Sequence, residues 1–129
     1  MPERKDEVAP PPRDGEWRIR YGANDVVDGW GALECEAPER LRWVWEQLRH
    51  NPRDRTNRRR QHRLEHNLSS RIVDGKELEQ WQIEVTGSGR VWYVIDDEAK
   101  TVWVTLAATG HPGATDRGKG RGKGTSRRR

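Results

Sequence analysis

Residues 81–110 read WQIEVTGSGRVWYVIDDEAKTVWVTLAATG. Three stretches within them alternate apolar and polar side chains with a period of two, the mark of half-buried strands. Trp81, Ile83 and Val85 alternate with Gln82, Glu84 and Thr86. Val91, Tyr93 and Ile95 alternate with Arg90, Trp92 and Val94, and Val102, Val104 and Leu106 with Thr101, Trp103 and Thr105. Gly87-Ser88-Gly89 and Asp96-Asp97-Glu98 supply short turns, and loops this short join antiparallel neighbours. The pattern predicts a meander with Trp81, Ile83, Val85, Val102 and Val104 on a covered face. Gln82, Glu84, Arg90, Trp92 and Trp103 then share the open face. Gly110-His111-Pro112-Gly113 ends the sheet.

Upstream, Trp17, Ile19 and Tyr21 alternate with Arg18 and Arg20 in a short strand closed by Gly22. Asn24 and Asp25 are candidate caps for a helix with apolar positions Val26, Val27, Trp30 and Leu33, which Gly29 and Gly31 weaken. A clearer helix begins at Pro38 and repeats Leu41, Val44, Trp45 and Leu48 at i, i+3, i+4 and i+7. Asn51-Pro52 stops it, because the residue before proline is pushed out of the helical region. Arg53–Arg60 has no apolar residue and reads as a solvated cationic loop, followed by a short strand near His62–Leu68 and a turn at Asp74-Gly75. The expected architecture is α+β: a short N-terminal strand, and two helices packed on one face of a 3–4-stranded antiparallel sheet.

The chain has 129 residues, of which 31% are apolar, and it contains seven Trp. The ends account for the low apolar share. Residues 1–15 are charged and then proline-rich, and read as a disordered leader. Residues 117–129 hold seven cations, no acid and no apolar residue, and read as a disordered basic Gly/Arg/Lys tail. One small Trp-rich domain is expected over residues 16–116. The formal charge of +4 hides an asymmetry: without the tail, 18 cations face 21 acids. Within that acidic body, Arg53–Arg63 carries six Arg against Asp54 alone, which points to a polyanion contacted at a defined place. No apolar run approaches ~18 residues, and the N-terminal segment lacks the apolar stretch of a signal peptide. A cytoplasmic location without membrane contact is expected. The single cysteine, Cys35, excludes an intramolecular disulfide and is expected to pack as a small apolar residue.

The expected open face gathers a carboxylate (Glu84), a guanidinium (Arg90) and exposed aromatics (Trp92, Trp103), with His111 at the end of the last strand. The loop bearing Arg58, Arg59, Arg60, His62 and Arg63 enters beside it. Metal-free RNA cleavage needs such a set: a base for the 2′-hydroxyl proton, a cation for the charge on the phosphorane, and an acid for the leaving 5′-oxygen. Tryptophan faces stack bases, each worth roughly 1–3 kcal/mol. The bland alternatives are a surface ion pair between Glu84 and Arg90, an inert loop histidine, and a merely solvated arginine loop. His62 to His66 spells H-x-x-E-H, but a zinc site of that kind needs both His on one helical turn and a third ligand. No metal and no small-molecule cofactor is expected.

The helix pair, RQHRLEHNLSS, and above all GSGRVWYVIDDEAKTVWV followed by Gly110-His111 resemble the RelE/ParE superfamily of toxins from type II toxin–antitoxin modules, over about Trp17 to Asp116. The resemblance implies a RelE-like, microbial-ribonuclease-like fold and cleavage of mRNA, often on the ribosome, to a 2′,3′-cyclic phosphate. By position, Arg90 matches the strand arginine at the scissile phosphate, and His111 the C-terminal basic position that often acts as general acid. Glu84 falls where some members have Lys and is the candidate base; Gln82 also lies where some members have Lys. No aromatic follows His111. The implied partners are a cognate antitoxin, with an acidic or amphipathic segment over the open face, and mRNA on the ribosome. The superfamily's gyrase-inhibiting branch, which lacks nuclease chemistry, remains an alternative, as does a non-toxic RNA-binding module using the arginine block and tail.

Overall fold

The computed structural model describes residues 2–8 and 10–110. In chain order these form β1 (Arg18–Tyr21), α1 (Asn24–Glu36), α2 (Pro38–His50), β2 (Gln61–Arg63), β3 (Ser70–Val73), β4 (Lys76–Glu84), β5 (Arg90–Asp96) and β6 (Thr101–Ala108). The fold is α+β, with both helices on one face of the sheet. α2 begins with Pro38 at its first position and stops at Asn51, as its sequence signals require.

The sheet is larger and more mixed than expected. Its order is β1-β6-β5-β4-β2, with β3 paired to the first half of β4. β1 runs parallel to β6, while β2, β3 and β5 are antiparallel to β4. β3 was hidden because Ser70–Val73 has no clean alternation. Its hairpin is fixed by the turn at Asp74 and Gly75, whose φ values of 54° and 79° suit a two-residue turn with both central residues left-handed.

The covered face carries Trp81, Ile83, Val85, Val102 and Val104, all buried, together with Val91, Tyr93 and Ile95. Val26, Trp30 and Leu33 of α1 and Leu41, Val44 and Leu48 of α2 close over them. Gly29 has a structural reason: a Cβ there would collide with the carbonyl oxygen of Ala107, so α1 rests backbone against backbone on β6. The ladder between β5 and β6 slips at Trp92/Tyr93. Tyr93 opposes Val104, but Trp92 opposes Leu106, leaving Thr105 as the extra residue. This bulge moves Leu106 from the covered face, where strict alternation would put it, to the face of Trp92.

Three further expectations are corrected. The leader is held in place along its described residues. Val8 N–H donates to Ile19 O, Lys5 N–H to Tyr21 O and Tyr21 N–H to Asp6 O, and Val8 is buried in the core. The outer edge of β1 would otherwise leave its backbone groups unpaired, and the leader satisfies them. Asn24 does not cap α1; its Oδ1 accepts from the backbone N–H of Arg4 in that leader, at 2.7 Å. Cys35 is exposed on α1 rather than packed. The basic tail lies outside the described residues.

Candidate nucleic-acid interface

Residues directly opposed across a ladder share a face, so the register gives the uncovered side of the sheet row by row. In the first row Glu84 opposes Arg90, which opposes Ala108. In the second, His62 opposes Gln82, Gln82 opposes Trp92, and Trp92 opposes Leu106. In the third, Gln80 opposes Val94, Val94 opposes Trp103, and Trp103 opposes Arg20.

The first two rows bring Glu84, Arg90, Gln82, Trp92 and His62 together on one half-buried surface. Trp92 Nε1 donates to Gln82 Oε1 at 2.8 Å, which fixes the ring across the face. His62 Nδ1 lies 3.1 Å from Arg63 O, leaving the other ring nitrogen without a partner among the described residues. Glu84 and Arg90 do not form the surface ion pair of the bland reading. Arg90 Nη1 instead makes a long contact of 3.4 Å with Ser88 O, and Glu84 receives no side-chain hydrogen bond among the described residues. A carboxylate without a side-chain partner among the described residues thus stands beside a guanidinium whose one hydrogen bond among them is that long contact with Ser88 O.

The third row is not open, and Trp103 is corrected. It is only 6% exposed, because the leader and the β3–β4 hairpin close over that end of the face. Lys5 Nζ and Asp74 Oδ1, one from each, meet at 3.4 Å. Arg20 lies over the Trp103 ring, 5.8 Å from its centroid, and Gln80 Oε1 accepts from Thr105 Oγ1 at 2.7 Å.

The arginine block divides into structural and free members. Arg53 bridges Glu79 (3.0 Å) and Asp97 (2.8 Å). Those hydrogen bonds, the one to Asp97 first, raise the pKa of its guanidinium and lower that of the Asp97 carboxyl. Arg55 lies over Trp81. Arg60 stacks on Trp43 of α2, 4.5 Å from the ring centroid, and donates to Glu84 O and Val85 O. Arg63 opposes Trp81 in the register and donates to Ser69 O. Arg60 is thus held at the sheet edge against α2, and Arg63 falls in the row of Trp81 rather than in the Glu84–Arg90 or Gln82–Trp92 rows. Arg58 and Arg59, exposed at the tip, make no side-chain bond among the described residues. His111 lies outside the described residues, which end at Gly110, two positions after the partner of Arg90.

Tyr93 and Gln61 anchor this loop from beneath. Tyr93 Oη donates to Pro52 O at 2.6 Å, and Gln61 Nε2 reaches Tyr93 Oη at 2.9 Å. Gln47 of α2 donates to both Gln61 and Asp54. Burial pushes the Tyr93 phenol well above its ordinary pKa, so it serves as a fixed neutral strut. The H-x-x-E-H string is split between β2 and the 3-10 turn at His66–Leu68, so its two His do not share a helical turn. No family model matches this chain, and no curated protein does.

Proposed function

We propose that the chain is a toxin of the RelE/ParE type that cleaves mRNA without a metal, with the face of Glu84, Arg90 and Trp92 as its active surface. The observation that carries this reading is the cross-strand pair Glu84–Arg90, adjacent yet unjoined. In the proposed reaction Glu84 takes the proton of a 2′-hydroxyl, and that oxygen attacks the neighbouring phosphorus. The P–O5′ bond breaks, leaving a 2′,3′-cyclic phosphate and a 5′-oxygen that takes its proton from an acid, the role assigned to His111. Arg90 stabilises the charge on the equatorial phosphoryl oxygens with a fixed fork of donors. Trp92, oriented by Gln82, stacks a neighbouring base. His62, on the same row, is a second proton-transfer group. Arg58 and Arg59 supply phosphate contacts at the rim, and an acidic or amphipathic antitoxin segment covers the face when the toxin is silent.

The test is controlled induction in a bacterial host with transcript 5′ ends mapped and growth followed together. New 5′ ends inside reading frames, absent in Arg90→Ala, support the proposal. Growth arrest with intact transcripts overturns it in favour of a gyrase-directed toxin. Neither arrest nor cleavage leaves an RNA-binding module.

A further inference from the structure

The end of the sheet face that the leader and the β3–β4 hairpin close over is not filled. A cavity of about 230 Å3 lies there, lined among others by Arg4, Lys5, Arg71, Asp74, Trp103 and Thr105. Three cations face one carboxylate, and that carboxylate is answered by Lys5 at 3.4 Å. The guanidinium groups of Arg4 and Arg71 have no partner among the described residues. Trp103 adds a third uncommitted donor, since its Nε1 is buried without an acceptor. Donors this much in excess suit an acceptor-rich, negatively charged group.

Size narrows the class. Drug-sized ligands occupy roughly 300–1,000 Å3, and a water takes about 30 Å3 of liquid volume. The space therefore suits a phosphodiester group with part of its sugar, not a whole nucleotide. Position narrows it again. Trp103 opposes Val94, four residues along β5 from Arg90 and on the same side of the sheet, about 13 Å away at the usual strand rise. An extended single strand whose scissile phosphate sat at Arg90 would carry a later phosphate to this cavity.

We propose that the cavity is a phosphate subsite for single-stranded RNA, built by the leader through Arg4 and by the hairpin through Arg71, which extends the Arg90 surface by a few nucleotides. It rests on the reading of that surface as an RNA site. Lys5 and Asp74 join the two walls, and the subsite exists only when the leader is docked.

The experiment measures binding of a fluorescent 2′-O-methylated RNA decamer, which lacks the nucleophilic hydroxyl, across a salt series. The full chain is compared with Arg4→Ala, Arg71→Ala and, as an equal loss of charge on the helix side, Arg40→Ala. Arg4→Ala and Arg71→Ala are each expected to weaken binding about ten-fold, as one charge-assisted contact is worth, and to lower the salt slope by about 0.7. Arg40→Ala is expected to do neither. Circular dichroism should be unchanged in all three, because these side chains make no bonds among the described residues. Equal losses in Arg71→Ala and Arg40→Ala overturn the subsite. If transcripts are still cut in an Arg90-dependent way, the subsite alone falls. A wild-type chain that binds no decamer overturns the subsite together with the RNA reading.

Discussion

Arg49 and Glu16 lie 33 positions apart in sequence, yet Nη2 of one is 2.7 Å from Oε1 of the other. Arg49 is 4% exposed, and two further donors, one on Nη1 and one on Nη2, go to the carbonyl oxygens of Pro10 and Pro11. Its guanidinium also stacks on Trp45, 4.3 Å from the ring centroid. This one side chain pins the proline run of the leader to α2.

Glu16 makes that docking sensitive to acid. The backbone N–H of Arg13 and the Arg49 guanidinium hold its carboxyl at about 2, below its ordinary 4.5. A group whose pKa is depressed by folding stabilises the fold above its unfolded value, and that contribution is lost as pH falls toward the folded value. Thermal midpoints of the wild type should therefore fall between about pH 4.5 and pH 2. Glu16→Gln should start lower at neutral pH and lose less across that window. An unchanged slope in the variant would remove Glu16 from the latch.

The two glycines of α1 should respond in opposite senses. Gly29→Ala sets a Cβ against the Ala107 carbonyl oxygen and should destabilise the fold by about 2 kcal/mol, because overpacking outweighs the gain in helix propensity. Gly31 has open space around it, so Gly31→Ala should stabilise by about 0.5–1 kcal/mol. Urea titrations of both variants check this. A stabilised Gly29→Ala would mean that α1 does not rest on β6 as described.

Tyr93→Phe removes the hydroxyl that joins Pro52 O and Gln61 while keeping the ring. It should cost about 1–2 kcal/mol. Hydrogen exchange in the segment from Asn51 to Asn57 should accelerate more than in β5 itself. Equal acceleration everywhere would show that the phenol does not anchor the loop.

Arginines of the same loop should separate by readout. Arg60→Ala loses its stack on Trp43 and its bonds to two strand carbonyls, and should cost about 1 kcal/mol of stability. Arg58→Ala with Arg59→Ala should leave the thermal midpoint nearly unchanged, within about 0.5 kcal/mol, while weakening binding of the RNA decamer. The reverse pattern would exchange their roles.

Much of the covered face was legible because burial imposes a period of two on strands and 3.6 on helices. Trp81, Ile83 and Val85, or Leu41, Val44 and Leu48, show it without help from the rest of the chain. Where local chemistry fixes an ending, as at Asn51-Pro52, the boundary was legible too. The adjacency of Glu84 and Arg90 followed from the short turn between them. Pattern failed at Leu106, because a single extra residue at Thr105 inverts every side chain beyond it.

By itself, then, the sequence determined the two helices, the three-stranded meander and the face on which Glu84, Arg90, Gln82 and Trp92 sit, since each depends on near neighbours. Only the tertiary structure decided the fate of the leader, of Trp103 and of the arginine block. A proline run is free or docked according to whether an Arg49 waits on a distant helix, and a strand tryptophan is open or roofed according to where a hairpin folds. An arginine is a ligand contact or a strut according to what lies beside it. Those outcomes come from contacts between residues far apart in the chain, and no local periodicity records them.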